Sequence, residues 1–293
     1  MSKNTGLRRR LGLSIAAVVA FGLVMAGSSV WMGLGKDAVQ DAVVLEPSGT
    51  AADDLARAGE LRIFFGHQSV GENILSGVRA LYGNSSQTEP QIVESSEKLT
   101  LEGPFLQHAL IGHNGDPAGK IRDFAKILDA GTGDNVQVAM MKLCYIDFNA
   151  DTDVDELFRL YSETVDALQA KYPNVRFLHA TAPLTEEPGL TSTLKSTAKA
   201  WLRGRLYSTP ENVVREKYNN LVRAKYGSTG RLLDIAAWEA LRSDGSLTAK
   251  SAGGVTFLSL NPSLASDGAH LNDEGAKQLA GAFLHVVAEQ QRQ

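Results

Sequence analysis

Apolar positions along this chain follow two rhythms. Short apolar runs at Ile63–Phe65, Val136–Tyr145 and Val175–Ala180, each bounded by turn residues, predict buried strands. Between them the apolar residues recur every three or four positions. Ile74, Leu75 and Val78 make one such face, and Ile121, Phe124, Ile127 and Leu128 another. Val154, Leu157, Leu160, Tyr161, Val165 and Leu168 make the clearest. Helix starts are marked near Pro117, at Asp153, at Thr209-Pro210 and at Asn272, and Pro173-Asn174 ends one helix. The last helix shows Leu279, Phe283, Val286 and Val287 to the core, and the end of the tether, Asp53–Ala58, also has helical character. Gln91–Glu94 and Arg231–Ile235 are two further short strands. Glu102–Gly119 is rich in Gly and Pro and reads as loop, Glu186–Tyr207 as a loosely patterned excursion, and Ala236–Gly254 as a turn-rich segment. Strands alternating with helices predict one α/β domain, with a mostly parallel sheet covered on both faces.

The amino terminus follows a different pattern. Arg8-Arg9-Arg10 precede an uncharged run, residues 11–35, ended by Lys36. That run is long enough to span a bilayer with its cationic end in the cytoplasm. It also carries small residues around Val24-Met25-Ala26, as a cleavable signal does. Residues 1–35 are therefore read as an anchor or signal and 36–58 as a polar tether. The domain at 59–293 is expected outside the cytoplasm, periplasmic or extracellular, and held to the membrane by residues 11–35. The net charge is −4, and it includes the cationic amino terminus, so the body is more acidic still. With no basic stripe interleaved with aromatics, nucleic acid is excluded as the main partner. A single cysteine, Cys144, excludes an intrachain disulfide.

Candidate chemistry gathers at two places far apart in the chain. In Leu61–Leu75 a buried strand feeds a helix through a turn bounded by Gly66 and Gly71, with Ser69 in the turn. Open α/β sheets place their chemistry at this position, the carboxyl end of a strand. A serine hydroxyl is a poor nucleophile until an imidazole accepts its proton, and a carboxylate holds that imidazole in one tautomer. Asp267-Gly268-Ala269-His270-Leu271-Asn272 offers both groups in one short loop ahead of the last helix. The order Ser, Asp, His is permitted, because such triads are defined by geometry. The plain alternatives are that Ser69 caps its helix and that His270 is a surface histidine.

Ser69 after the first strand, together with Asp267, His270, Leu271, Asn272 and Gly275, resembles the first and last blocks of the SGNH (GDSL-type) hydrolases, over roughly residues 61–289. The resemblance implies a three-layer α/β/α sandwich with a flavodoxin-like sheet. It implies Ser69 as nucleophile, His270 as general base, Asp267 as the residue orienting His270, and no cofactor. The chain departs from the family twice. His67-Gln68-Ser69 stands where the family has Gly-Asp-Ser, and the strand end Lys142–Asp147 lacks the family's oxyanion-binding Asn. The N–H of Ser69, the amide of Asn114 and the N–H of Gly115 are the candidate oxyanion donors. His67, Lys142 and Tyr145 are candidate substrate contacts. Lys142, unusual in an apolar strand, either faces the site or pairs with Asp147. Cys144 reads as a small buried hydrophobe, and His179 and His285 as structural. His108 and His113 match no familiar ligand spacing, so no metal is expected. The implied activity is hydrolysis of an ester, a carbohydrate O-acetyl or simple carboxylic ester, through an acyl-serine. Acyl transfer to a sugar is the close variant. A non-catalytic cell-envelope binding protein on the same fold is the alternative from another class.

Overall fold

The computed structural model describes residue 42 and residues 51–187 and 209–291. The apolar segment 11–35, nearly all of the tether to residue 50, and most of the excursion after Glu187 lie outside the described residues. No described helix is long and apolar enough to cross a membrane.

Six parallel strands form the central sheet: β1 (Arg62–His67), β2 (Gln91–Glu94), β3 (Phe105–Leu110), β4 (Val138–Met141), β5 (Arg176–Ala180) and β6 (Leu232–Leu233). Their order is β2-β3-β1-β4-β5-β6. The chain thus builds outward from β1 on one side, then crosses back over β1 and builds on the other. Loops leaving β1, β3 and β4 diverge at that reversal, and such a crevice at the carboxyl ends is where open α/β sheets bind ligands.

Two apolar layers sandwich the sheet. On one face lie α1 (Ala51–Ala58), α2 (Val70–Gly83), the short α6 (Ile235–Ala240) and the carboxyl-terminal α7 (Asp273–Glu289). On the other lie α3 (Pro117–Asp129), α4 (Val154–Lys171) and α5 (Thr209–Tyr226). This is the three-layer α/β/α arrangement expected from the alternation of elements. Asp116, Asp153 and Asn272 cap α3, α4 and α7 through their side chains, each accepting a backbone N–H of the first turn. Helix α5 begins at Thr209 itself, whose hydroxyl donates to Glu187 at 2.7 Å.

Four stretches depart from the sequence expectation. The strand expected over Val136–Tyr145 spans only Val138–Met141, and Tyr145–Asp147 is a 3-10 turn. β3 lies inside the stretch read as loop, because its polar residues Gln107 and His108 are buried rather than exposed. Gln107 Nε2 donates to the Ser95 and Glu97 carbonyls, both at 2.9 Å. The strand expected over Arg231–Ile235 is two residues long, because Asp234 turns the chain as the cap of α6. The turn-rich segment holds α6 and most of a hairpin of β7 (Ala249–Ala252) and β8 (Val255–Leu258). Beneath β6, Arg223 bridges Glu216 at 2.6 Å and Asp234 at 2.7 Å with all three side chains buried. Removing one partner of such a buried set costs about 3–5 kcal/mol.

Candidate active site

Ser69 stands between β1 and α2 at the N-cap position, partly buried, and its hydroxyl makes no capping hydrogen bond. The capping reading of this serine therefore fails. Its turn is tied down from both sides. The Gln68 side chain donates to the carbonyls of Ile111 and Gly112, at 3.1 and 3.2 Å, joining the turn to the loop after β3. The His67 ring fills the space a Cβ on Gly71 would need. Only glycine lets α2 start this close to the end of β1.

The loop before α7 builds the second half. Asp267 holds His270 Nδ1 with both carboxylate oxygens, at 2.9 and 3.1 Å. Oδ1 also accepts the backbone N–H groups of His270 and Ala269, at 3.0 and 3.2 Å. Burial alone would raise the Asp267 pKa. The His270 ring and these backbone donors outweigh it and hold the carboxyl below its ordinary range. An ionised carboxylate only accepts, so Nδ1 is the donor of this pair and Nε2 is the ring nitrogen turned away from Asp267. Glu186 lies beside this loop, its N–H donating to Gly268 O at 2.8 Å. Burial first, and then the Asp267 charge, raise the pKa of the Glu186 carboxyl.

Asn73 joins the two halves. Its amide donates to Leu271 O at 3.4 Å and accepts from Leu271 N at 3.3 Å. Asn73 lies four positions after Ser69, in the helix that Ser69 precedes. The His270 loop is thereby docked beside the helix end that carries Ser69. The Tyr145 ring meets the His270 ring edge-on, with centroids 5.7 Å apart.

The third wall is stitched by a buried ion pair that sequence reading missed. Lys120 Nζ lies 2.7 Å from both oxygens of Asp147 and donates to Asn114 Oδ1 at 2.9 Å. Asp147 also accepts the N–H of Cys144 at 2.6 Å and of Gly115 at 2.9 Å. The loops after β3 and β4 are thus locked together. Lys120, not Lys142, is the partner of Asp147. Lys142 Nζ instead reaches Cys144 Sγ at 3.4 Å and Leu143 O at 3.5 Å. Among the candidate oxyanion donors, the Gly115 N–H is committed to Asp147. Asn114 is exposed, and the Ser69 N–H has no partner among the described residues.

The candidate substrate contacts sit deeper than their sequence positions suggested. His67 is 0% and Lys142 1% exposed, so both lie beneath the surface a substrate would meet, and Tyr145 is nearly buried at 7%. Cys144 is a buried free thiol, as expected. His179 is buried against Tyr161 and Tyr226, and His285 pairs with Asp54 at 2.9 Å. The Lys120–Asp147 pair left one signal in the sequence, a lysine in the apolar stretch of α3. Nothing local marks Asn73.

No protein-family model matches the chain, and no curated protein matches it. Solved structures resemble it, three of them as follows. One is the periplasmic domain of a lipopolysaccharide acetyltransferase from Salmonella ser. Paratyphi A, at TM-score 0.40 and 15% identity, covering 77% of this chain and 83% of that one. Another is a mutant acetyl esterase solved with acetate ion, at TM-score 0.38 and 14% identity, covering 75% and 91%. The third is a carbohydrate esterase of family 3 from Talaromyces cellulolyticus, at TM-score 0.35 and 15% identity, covering 76% and 92%. At these scores and identities the likeness assigns neither an activity nor a substrate.

Proposed function

We propose that this protein is a serine hydrolase that cleaves an ester through an acyl-serine intermediate, with Ser69 as nucleophile, His270 as general base and Asp267 as the group orienting His270. The observation that carries the reading is the Asp267 grip on His270 Nδ1 by two hydrogen bonds, in a loop that Asn73 fastens to α2. It leaves an imidazole lone pair for the uncommitted hydroxyl of Ser69. Proton transfer to Nε2 frees the serine oxygen to attack the ester carbonyl. The imidazolium then returns the proton to the leaving alkoxide, and water repeats the sequence on the acyl-enzyme. The charge developing on the carbonyl oxygen falls to the Ser69 N–H and the Asn114 amide. Gly115 joins them only if its bond to Asp147 opens. The substrate is a carbohydrate O-acetyl or simple carboxylic ester, met outside the cytoplasm by a domain tethered through the residues that precede α1. Acyl transfer to a sugar needs only an acceptor hydroxyl in place of water.

A fluorophosphonate probe tests this reading. Peptide mapping should find the adduct on Ser69, and Ser69→Ala and His270→Ala should each remove nearly all hydrolysis of p-nitrophenyl acetate. The double variant should be no worse than either single one, since the residues act as a unit. Full hydrolysis by Ser69→Ala refutes the assignment, and a parent protein that neither takes the probe nor hydrolyses the ester leaves the non-catalytic binding reading.

A further inference from the structure

Two buried imidazoles with no part in the proposed hydrolysis meet behind the Ser69 turn. His67 ends β1, and His108 lies on β3 opposite Phe65, so both side chains project from the same face of the sheet, under the first turn of α2. His67 Nε2 stands 3.1 Å from His108 Nδ1, and the two residues are 0% and 4% exposed. Glu72, in the first turn of α2, brings Oε1 to 3.8 Å from His67 Nε2, and the three donor atoms all lie within 4.8 Å of one another. The Glu72 side chain is half exposed and free to swing closer. Glu94 sits opposite His108 on β2, and its charge, like that of Glu72, acts on the His108 ring.

The chemistry of this set is specific. Both imidazoles are buried, and His67 Nε2 and His108 Nδ1 share a hydrogen bond; an ion between them takes the place of that proton, which moves to the outer nitrogen of its ring. Two nitrogens that each bind one tetrahedral ion at about 2.0–2.1 Å lie a little over 3 Å apart, the spacing found here. Two imidazoles with a carboxylate suit Zn²⁺ and its first-row neighbours, whereas Ca²⁺ and Mg²⁺ take oxygen shells. We propose that His67, His108 and Glu72 form a binding site for a divalent transition-metal ion, Zn²⁺ foremost, with Glu94 or water completing the shell. A bound ion joins the end of β1, the start of α2 and β3, the elements that meet at the Ser69 turn. The sequence concealed the set because its members come from three elements with no shared spacing.

Co²⁺ titration of the full, untagged chain in detergent, after chelator treatment, tests the site. One equivalent should bind with visible d–d absorption and be displaced by Zn²⁺. His108→Gln and Glu72→Gln should each weaken binding by about tenfold or more, and Ser69→Ala should bind as the parent does, which separates this site from the hydrolytic reading. Glu72 is exposed, so its variant folds even if His108→Gln does not; circular dichroism confirms the fold of each. The proposal is overturned if no stoichiometric uptake occurs or if both folded variants bind as the parent does. It is equally overturned if His285→Gln alone abolishes uptake, which would place the ion at Asp54, His285 and Glu289, the other convergent set among the described residues.

Discussion

Asn114 shows how a single side chain can be placed by its neighbour. Lys120 holds its Oδ1 at 2.9 Å, so the N–H groups of the amide face the other way. With the Gly115 N–H given to Asp147, the amide is the side-chain donor left in this loop for a developing oxyanion. Such a bond strengthens mainly in the transition state, so its loss falls on kcat rather than KM. Asn114→Ala is expected to lower kcat about a hundredfold or more with KM little changed, measured by steady-state hydrolysis of p-nitrophenyl acetate. An unaltered kcat would show that the donors come from elsewhere. At this scale the sequence was partly legible. Asp267 and His270 share one short loop, so their pairing could be read directly. The Lys120–Asp147 pair depends on two loops meeting in space, and no spacing rule reports that.

Helices α2 and α7 set the distance between the two halves of the site, since Ser69 precedes one and His270 lies just before the other. They touch at Gly77. A Cβ there would overlap the Ala276 carbonyl and come within 2.7 Å of Ala280 Cβ. In an exposed helix, Gly→Ala stabilises by about 1 kcal/mol. Here backbone stands in the way, so the helices must part. Gly77→Ala is expected to cost about 2 kcal/mol or more and to reduce turnover by drawing Ser69 away from His270. Thermal melting with kinetics on the same sample checks it, and a raised Tm would contradict the close contact. Elements were legible where one face was apolar, as in α4 with Leu157, Tyr161, Val165 and Leu168. β3 was hidden because both of its faces are buried and His108 and Gln107 break the apolar run. The hairpin β7–β8 was hidden because its first strand, Ala249–Ala252, is largely exposed and carries no alternation.

Across the whole molecule, buried ionisable groups oppose one another as pH changes. Burial first, then Lys142 and His108, lower His67 to about 3; burial first, then Arg231 and Lys225, lower His179 to about 3; burial also lowers His108. Unfolded, each titrates near about 6.5. Below that pH the unfolded chain takes up protons that the folded chain refuses, so stability falls toward pH 3. Glu239 behaves in reverse. Burial raises it to about 8, against the hydrogen bond from the Leu184 N–H. Between its unfolded value of about 4.3 and its folded one, only the folded chain keeps the proton, so stability falls as pH rises. Three imidazoles outweigh the raised carboxyl below about pH 6.5, and above it Glu239 sets the trend. Melting in the presence of chelator should therefore give the highest Tm near about pH 6.5, and Glu239→Gln should remove the alkaline decline. A Tm that climbs steadily to pH 8 would contradict the burial of Glu239 as its proton-bearing form. Asn73 and Leu271 hold hands across 198 residues of chain. Until that ring closes, a growing or severed polypeptide carries a serine without its base. On the proposed reading, the power to cut esters belongs to the finished molecule and to no fragment of it.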